Sequence, residues 1–184
     1  MSRLLLALVA SMAAISAGAA TPEQTRLLVG IMVDGLDADQ LDLLRERFGQ
    51  GGFKLLEQQG VTLTADYGTS LDATAATATI FTGAAPSTSG IGGDTHFDRR
   101  TLRKSPVYAD HDVLGNFSPS GFSPKALRVS NLSDEARIAS GGTNNVYAVA
   151  AQPGMAISMA GHNATSALWL DHKTGNWASS TAYP

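Results

Sequence analysis

The sequence predicts an α/β fold, with a mostly parallel sheet flanked by helices and a β-hairpin at the C-terminal end. Two apolar runs carry this prediction: Arg26–Val33 (RLLVGIMV) and Asn145–Ala150 (NVYAVA). Unbroken aliphatic and β-branched runs are typical of strands that helices cover on both faces, which is how parallel sheets are buried. The segments between the two runs have mainly helical patterns, so strands and helices alternate along the chain.

Local signals place the other elements. Asp37 and Gln40 have the spacing of a capping box, which predicts a helix that begins there. The pattern predicts further helices over Phe53–Gln59 and Leu132–Ser140, each stopped by glycine. Val61–Tyr67 has the composition of a strand. Near the end, two apolar segments flank a short glycine-containing turn and predict the hairpin: Ala167–Leu170 and Asn176–Ser180.

The stretch Ser70–Gly83 (SLDATAATATIFTG) is small, hydroxyl-rich and nearly uncharged. It predicts a helix that begins near Asp72–Thr74 and ends near Gly83. Free backbone N–H groups at such a helix start attract anions, and a hydroxyl there attacks phosphorus if a metal or base activates it. The alternative is a buried helix, packed through its alanines, whose threonines bond back to helix carbonyls.

Asp34 directly follows the first apolar run. A carboxylate at the C-terminal end of a buried strand lies at the sheet edge where ligands gather, and it is a good ligand for a hard metal ion. The alternative role, a cap for the next helix, already falls to Asp37. A second candidate ligand or base is His162, but a single histidine beside a glycine is more often structural.

Composition sets limits on function. The formal net charge of −3 and the 16% of charged residues give no electrostatic reason to expect a nucleic acid or an acidic membrane as partner. The absence of cysteine excludes disulfides and thiolate chemistry. One basic cluster, Arg99–Lys104, has acidic residues around it in the sequence. We therefore interpret Asp94–Pro124 as a polar, irregular, solvated loop.

Met1–Ala20 has the pattern of a secretory signal peptide. Arg3 precedes an apolar core, and small residues predict cleavage near Ala19 or Ala20. A membrane anchor is the alternative, but the run is short for a spanning helix. We expect an exported protein, periplasmic or secreted, without a membrane segment after cleavage. Residues 21–184 then form one domain.

Five motifs together resemble the N-terminal part of the alkaline phosphatase superfamily, closest to its secreted phosphatases and to type I phosphodiesterase/nucleotide pyrophosphatases. The similarity extends from Leu27 to about Tyr183. The segments that carry it are VGIMVDGLDADQL (Val29–Leu41), GGFKLLEQQGV (Gly51–Val61), ATIFTGAAPSTSGIGGDTHFD (Ala78–Asp98), LRVSNLSDEARIA (Leu127–Ala139) and MAGHNATSALWLDHKTGNW (Met159–Trp177).

The resemblance implies a phosphoester hydrolase that acts on small monoesters or diesters. In this superfamily an Asp after the first strand binds one of two zinc ions, and Asp34 matches it. A Thr or Ser at the start of the next helix is the nucleophile. That position is Ala73 here, so the candidate nucleophile is its neighbour Thr74. The resemblance places most of the other zinc ligands beyond Pro184, which predicts an incomplete domain.

Three further positions depart from the monoesterase pattern. Asp94 replaces an asparagine that holds phosphate oxygens, and Gln152 and Gly154 replace a lysine and an arginine. Without these cations the charge-assisted phosphate contacts are lost. Two hypotheses follow: a zinc-dependent hydrolase with Thr74 as nucleophile, or a non-catalytic relative that acts as a secreted binding or scaffold protein.

Overall fold

The computed structural model describes residues 25–119 and 121–183, so the signal peptide predicted at Met1–Ala20 lies outside the described residues. The chain divides into two units, with the boundary between Val33 and Asp34. In the first unit, residues 25–33 form no strand, and the side chains of Leu27 and Ile31 are exposed. The prediction of a buried strand at Arg26–Val33 is therefore wrong for this structure. A strand requires hydrogen bonds to a neighbouring strand, and this run has no such pairing.

Six helices of the described residues lie in the second unit, and most lie where the sequence predicts them. We number them α1 to α6: Ala38–Leu44, Phe53–Gln59, Ala73–Thr82, Pro86–Ser89, Leu132–Ala139 and Pro153–Ala160. Short 3₁₀ turns cover Arg45–Arg47 and Pro124–Ala126. Among the described residues, no helix has the length and apolar character needed to cross a membrane.

The described residues form six strands: β1 to β6 cover Thr95–Asp98, Arg103–Pro106, Gly115–Asn116, Tyr147–Ala150, Ser166–Asp171 and Asn176–Ser180. Strands β3 to β6 form one sheet in the order β3-β6-β5-β4, and β1 pairs with β2 alone. Strands β4 and β5 are parallel and are joined through α6, whereas β5–β6 and β3–β6 are antiparallel.

This topology confirms the α/β class and the C-terminal hairpin, but the sheet of the described residues is mixed rather than mostly parallel. The predicted strand at Val61–Tyr67 is not formed either, and the side chains of Val61 and Leu63 are exposed. The irregular loop expected at Asp94–Pro124 instead contains the β1–β2 hairpin. Its strands carry almost no buried apolar side chains, so the sequence pattern gives little signal for them.

Helix α6 lies at the centre of the core. It packs against α3 and against both β4 and β5, and its residues Ala156, Ile157 and Ala160 are fully buried. On the sheet side, Trp169 of β5 is buried and its ring meets that of Phe122 edge to face, with ring centroids 5.7 Å apart. Small residues of α6 allow close approach, while the aromatic rings are the largest side chains of the core.

Two buried tyrosines place hydroxyls inside this core. The hydroxyl of Tyr108 lies 2.9 Å from Oγ of Ser158, and Tyr183 donates to the carbonyl of Gly161 at 2.9 Å. Burial raises the pKa of Tyr108 to about 12 and also raises the pKa of Tyr183. Both hydroxyls therefore stay neutral in the folded protein at pH values where an unfolded tyrosine ionises.

We expect the free energy of unfolding to fall as the pH rises from about 10 to about 12, because the unfolded chain releases these protons first. The stabilisation is complete below the unfolded pKa and is lost as the pH approaches the folded pKa. Urea unfolding across this range measures it. Tyr108→Phe should flatten the pH dependence, whereas exposed Tyr147→Phe should leave it as in the wild type. Equal slopes in the two variants would contradict the assignment.

Candidate functional site

The start of α3 is fixed by Asp72, which confirms the predicted helix boundary. Asp72 has extended backbone angles, and its Oδ1 accepts a hydrogen bond from the backbone N–H of Ala75 at 3.0 Å. At the other end, Gly83 adopts the left-handed conformation (φ 65°) and closes the helix. The helix therefore presents its free N–H groups and the positive end of its dipole at residues 72–74.

The second oxygen of Asp72 holds a distant loop. Its Oδ2 accepts from the backbone N–H of Asp94 at 2.6 Å, and a Cβ on Gly93 would lie 2.9 Å from the same oxygen. A side chain at position 93 would therefore push the loop away from α3. The carbonyl of Asp94 in turn accepts from the N–H of Val107, which ties the loop to the base of the β1–β2 hairpin.

Thr74, the candidate nucleophile, is 1% exposed and lies in the contact between α3 and α6. A Cβ on Gly154 of α6 would fall 2.9 Å from Cγ2 of Thr74, and closer still to its Oγ1. The Thr74 hydroxyl thus lies against the backbone of α6 at Gly154. The residue before it, Ala73, is half-buried and is the first residue of the helix.

The N-terminus of α6 lies beside that of α3, because Gly154 and Thr74 are each the second residue of their helix. Gln152 is the residue before α6, and its side chain makes no capping bond. The fold therefore gathers the four altered positions around two helix N-termini: Ala73, Asp94, Gln152 and Gly154. None of the four has a cationic side chain, and Asp94 adds a negative charge.

Two of the three remaining threonines of α3 follow the alternative that the sequence left open. Thr77 donates to the carbonyl of Ala73 at 2.7 Å, and Thr82 donates to that of Ala78 at 2.6 Å. Ala75 and Ala78 are fully buried. The helix body is therefore a packing element, whereas the residue before its first turn holds the backbone of Asp94.

Asp34 is exposed at a turn in which Gly35 has a φ of 72°. Within the described residues, no three or more His, Asp or Glu side chains lie together in a way that could hold a metal ion. Asp34 therefore belongs to no such group among these residues, and its role as a metal ligand stays a prediction.

His162 belongs to a buried network that the sequence did not reveal. Asp134 of α5 is 2% exposed and accepts from the backbone N–H of His162 at 2.8 Å and of Asn163 at 3.1 Å. The Nδ1 of His162 lies 2.8 Å from Oδ2 of Asp134, and its Nε2 lies 3.0 Å from the carbonyl of Leu127. Both ring nitrogens are thus used, so His162 connects three segments of backbone.

One sequence signal pointed to this network. Asn131 and Asp134 form a reciprocal capping box at the start of α5, with the Asn131 side chain accepting from the N–H of Asp134 at 2.9 Å. The Asn131 amide also donates to the carbonyl of Ser158 at 2.8 Å. An Asn-x-x-Asp spacing before a helix predicts the cap, but not that the same carboxylate also binds the loop after α6.

Comparison with known proteins gives consistent matches along the chain. The family model for type I phosphodiesterase / nucleotide pyrophosphatase matches residues 28–183. The chain is 34% identical over 169 residues to alkaline phosphatase PhoV of Synechococcus elongatus, and 33% identical over 167 residues to a Myroides odoratus protein named calcium-transporting ATPase. These alignments cover 89% and 88% of this chain and 30% of each relative.

A solved structure agrees with these matches. The crystal structure of a variant of the alkaline phosphatase PafA superposes with a TM-score of 0.73 at 30% identity, covering 82% of this chain and 30% of the other. The chain therefore spans about 30% of the length of the relatives it matches.

The contact between Gly154 and Thr74 generates a prediction. Gly154→Ala should destabilise the protein by about 1–3 kcal/mol, because the new methyl group overlaps Thr74, even though alanine favours a helix. Gly92→Ala, which has open space around it, should stay within about 0.5 kcal/mol. Adding Thr74→Ala should recover part of the Gly154→Ala loss in urea unfolding. If both glycine variants lose equal stability, the contact is not tight.

Proposed function

Because the chain belongs to the type I phosphodiesterase/nucleotide pyrophosphatase family of the alkaline phosphatase superfamily, we propose that it is a non-catalytic relative. It keeps the scaffold of a phosphoester-hydrolase site but lacks the nucleophile, and it acts as a binding protein for a small phosphate or phosphodiester. The observation that carries this proposal is the placement of Thr74. The one hydroxyl next to position 73 lies buried against Gly154 instead of in the open end of α3.

The spacing of substitutions in the PafA variant supports the proposal. That variant is altered at a threonine, at an asparagine 21 residues further on, and at a lysine and an arginine two residues apart. The same spacings separate Ala73 from Asp94 and Gln152 from Gly154 in this chain. We take these two pairs as the counterparts of the four positions changed in that variant, and all four are positions where the resemblance implies a departure from the superfamily pattern.

The chemistry points the same way. Phosphoryl transfer needs an attacking oxygen and positive charge around the transferred group. The side chain of Ala73 has no oxygen that could attack. The residues Gln152 and Gly154 have no charge, and the Asp94 carboxylate repels a phosphate. What remains is the pair of helix N-termini, whose N–H groups attract an anion without transferring its phosphoryl group.

A second candidate is hydrolysis with Thr74 as nucleophile. It is favoured by the position of Thr74 in the first turn of α3 and by the hydrolases named among the relatives. It requires α3 to rotate so that Thr74 leaves Gly154, since one residue along a helix turns a side chain by about 100°.

Metal dependence belongs to the second candidate, hydrolysis. The resemblance implies two zinc ions, and Asp34 would be one ligand. The described residues do not fit a zinc pair, because a site needs three or four protein ligands and no such cluster is present among them. We therefore derive no catalytic step from zinc.

Export is also proposed, on the pattern of Met1–Ala20. The exported protein should begin near Ala20 or Thr21, which N-terminal sequencing measures. A mature protein that retains Met1 would contradict it.

Turnover of an aryl phosphate and of an aryl phosphodiester, with zinc added, tests the proposal. The wild-type protein should show no turnover above a blank, and Ala73→Thr should raise it, because a hydroxyl then occupies the first position of α3. Thr74→Ala should change nothing.

Two outcomes oppose this. Wild-type turnover that Thr74→Ala abolishes would establish the second candidate. Wild-type turnover that survives Thr74→Ala would exclude both the non-catalytic proposal and Thr74 as the nucleophile.

A further inference from the structure

Strands β1 and β2 and their turn form a protruding ribbon, Thr95–Pro106, which we call the basic hairpin. Its two strands are paired from Thr95–Pro106 to Asp98–Arg103. They pack mainly against each other, and no other helix or strand in the part of the chain that the structure describes makes an extensive contact with them. At about 3.4 Å per residue, the four-residue strands carry the turn roughly 13 Å from the Asp94 loop.

The basic hairpin concentrates positive charge in an acidic protein. It has four cationic side chains, Arg99, Arg100, Arg103 and Lys104, against the single carboxylate of Asp98, while the whole chain has a formal net charge of −3. The Asp98 carboxylate accepts from the backbone N–H of Arg100 at 2.8 Å, so it serves the turn rather than pairing with a cationic side chain.

The acidic residues that follow in sequence do not neutralise the cluster. Asp112 pairs with Lys125 at 2.6 Å, and Asp110 accepts from the hydroxyl of Ser123 at 2.6 Å. The hydrogen bond from Ser123, together with one from the backbone N–H of Asp112 and the nearby charge of Lys125, keeps the pKa of Asp110 below its usual value. Within the described residues, none of the four hairpin cations forms an ion pair. The solvated loop expected from the sequence is therefore an ordered ribbon with uncompensated charge.

Apolar side chains lie among these cations. Leu102 is 74% exposed in the turn between Arg100 and Arg103, and its backbone has a φ of 53°. That left-handed conformation costs a leucine roughly 1–2 kcal/mol. Phe97 is 53% exposed and lies opposite Lys104 in the register. The turn thus presents an aliphatic side chain to solvent at a conformational cost.

We propose that the basic hairpin docks, turn first, onto the surface of an anionic lipid bilayer. Arginine and lysine bind the lipid phosphates, and Leu102 and Phe97 enter the boundary between headgroups and acyl chains. A free phosphate would use only the cations. A nucleic acid would stack on aromatic rings, and the tip carries an aliphatic side chain instead.

Hydrogen bonds to the rest of the protein fix the base of the basic hairpin, so that its turn is the free end. The tether from Asp72 to Asp94 and the bond from Val107 to Asp94 fix both strands beside the start of α3. A two-stranded ribbon alone is marginally stable in water, so contact at its free end would add order that the protein itself does not supply. Docking requires no change in the α3–α6 contact.

Co-sedimentation of the full protein with vesicles tests this proposal. We expect binding to vesicles of about one third phosphatidylglycerol in phosphatidylcholine, none to pure phosphatidylcholine, and loss of binding in about 0.5 M NaCl. Each cation near an anionic surface contributes about a five-fold gain. Replacing Arg99, Arg100, Arg103 and Lys104 by glutamine should therefore weaken binding at least about 100-fold.

A matched variant controls for net charge. Glutamine at Arg45, Arg47, Lys54 and Lys173 removes the same charge elsewhere and should leave at least about a tenth of the binding, since only long-range attraction is lost. Leu102→Asn keeps the charge and relieves the strain of a left-handed backbone, so its thermal unfolding temperature should equal or exceed that of the wild type while vesicle binding falls several-fold.

Three results would overturn the proposal. The first is equal weakening by the hairpin variant and by the matched variant. The second is displacement from vesicles by millimolar inorganic phosphate, which would make the site a small-anion site. The third is tighter binding to a single-stranded oligonucleotide than to the anionic vesicles.

Discussion

The arrangement of the candidate site depends on two hydrogen bonds that the carboxylate of Asp72 accepts. One oxygen satisfies the backbone N–H of Ala75 at the start of α3, and the other holds the backbone of Asp94, 22 residues further along the chain. A single side chain therefore fixes where the helix begins, where the loop at Gly93 and Asp94 lies, and where the β1–β2 hairpin begins. Because both oxygens are occupied, Asp72 acts as a structural residue, although it lies beside the position of the superfamily nucleophile.

The second constraint is close packing between α3 and α6. Alanines and glycine allow the two helices to approach until Thr74 touches the backbone at Gly154. This contact removes the hydroxyl from the helix opening. Under the proposed function, this contact separates binding from catalysis. The N–H groups of two helix starts would attract an anion, and the side chain of Ala73 offers no hydroxyl to attack it.

The sequence predicted those features that depend on local chemistry. Asp72 and Gly83 mark the ends of α3, the helix predicted over Leu132–Ser140 is α5, and two apolar segments around a glycine-containing turn give the terminal hairpin. It did not predict the direction of Thr74, because one residue decides which face of a helix a side chain occupies. Nor did it predict the β1–β2 hairpin, whose pairing rests on polar residues. The two failed strands, Arg26–Val33 and Val61–Tyr67, have the right composition, but a strand also needs a neighbour, which composition does not specify.

The bare α-carbon of Gly154 also constrains how this chain can change during evolution. Any side chain at position 154 would bring its Cβ against Thr74. A smaller residue at position 74 would make room for it, but that change alone would leave a gap between two helices. Substitutions at these two positions are therefore expected to be coupled, so that a larger residue at one is best tolerated with a smaller residue at the other.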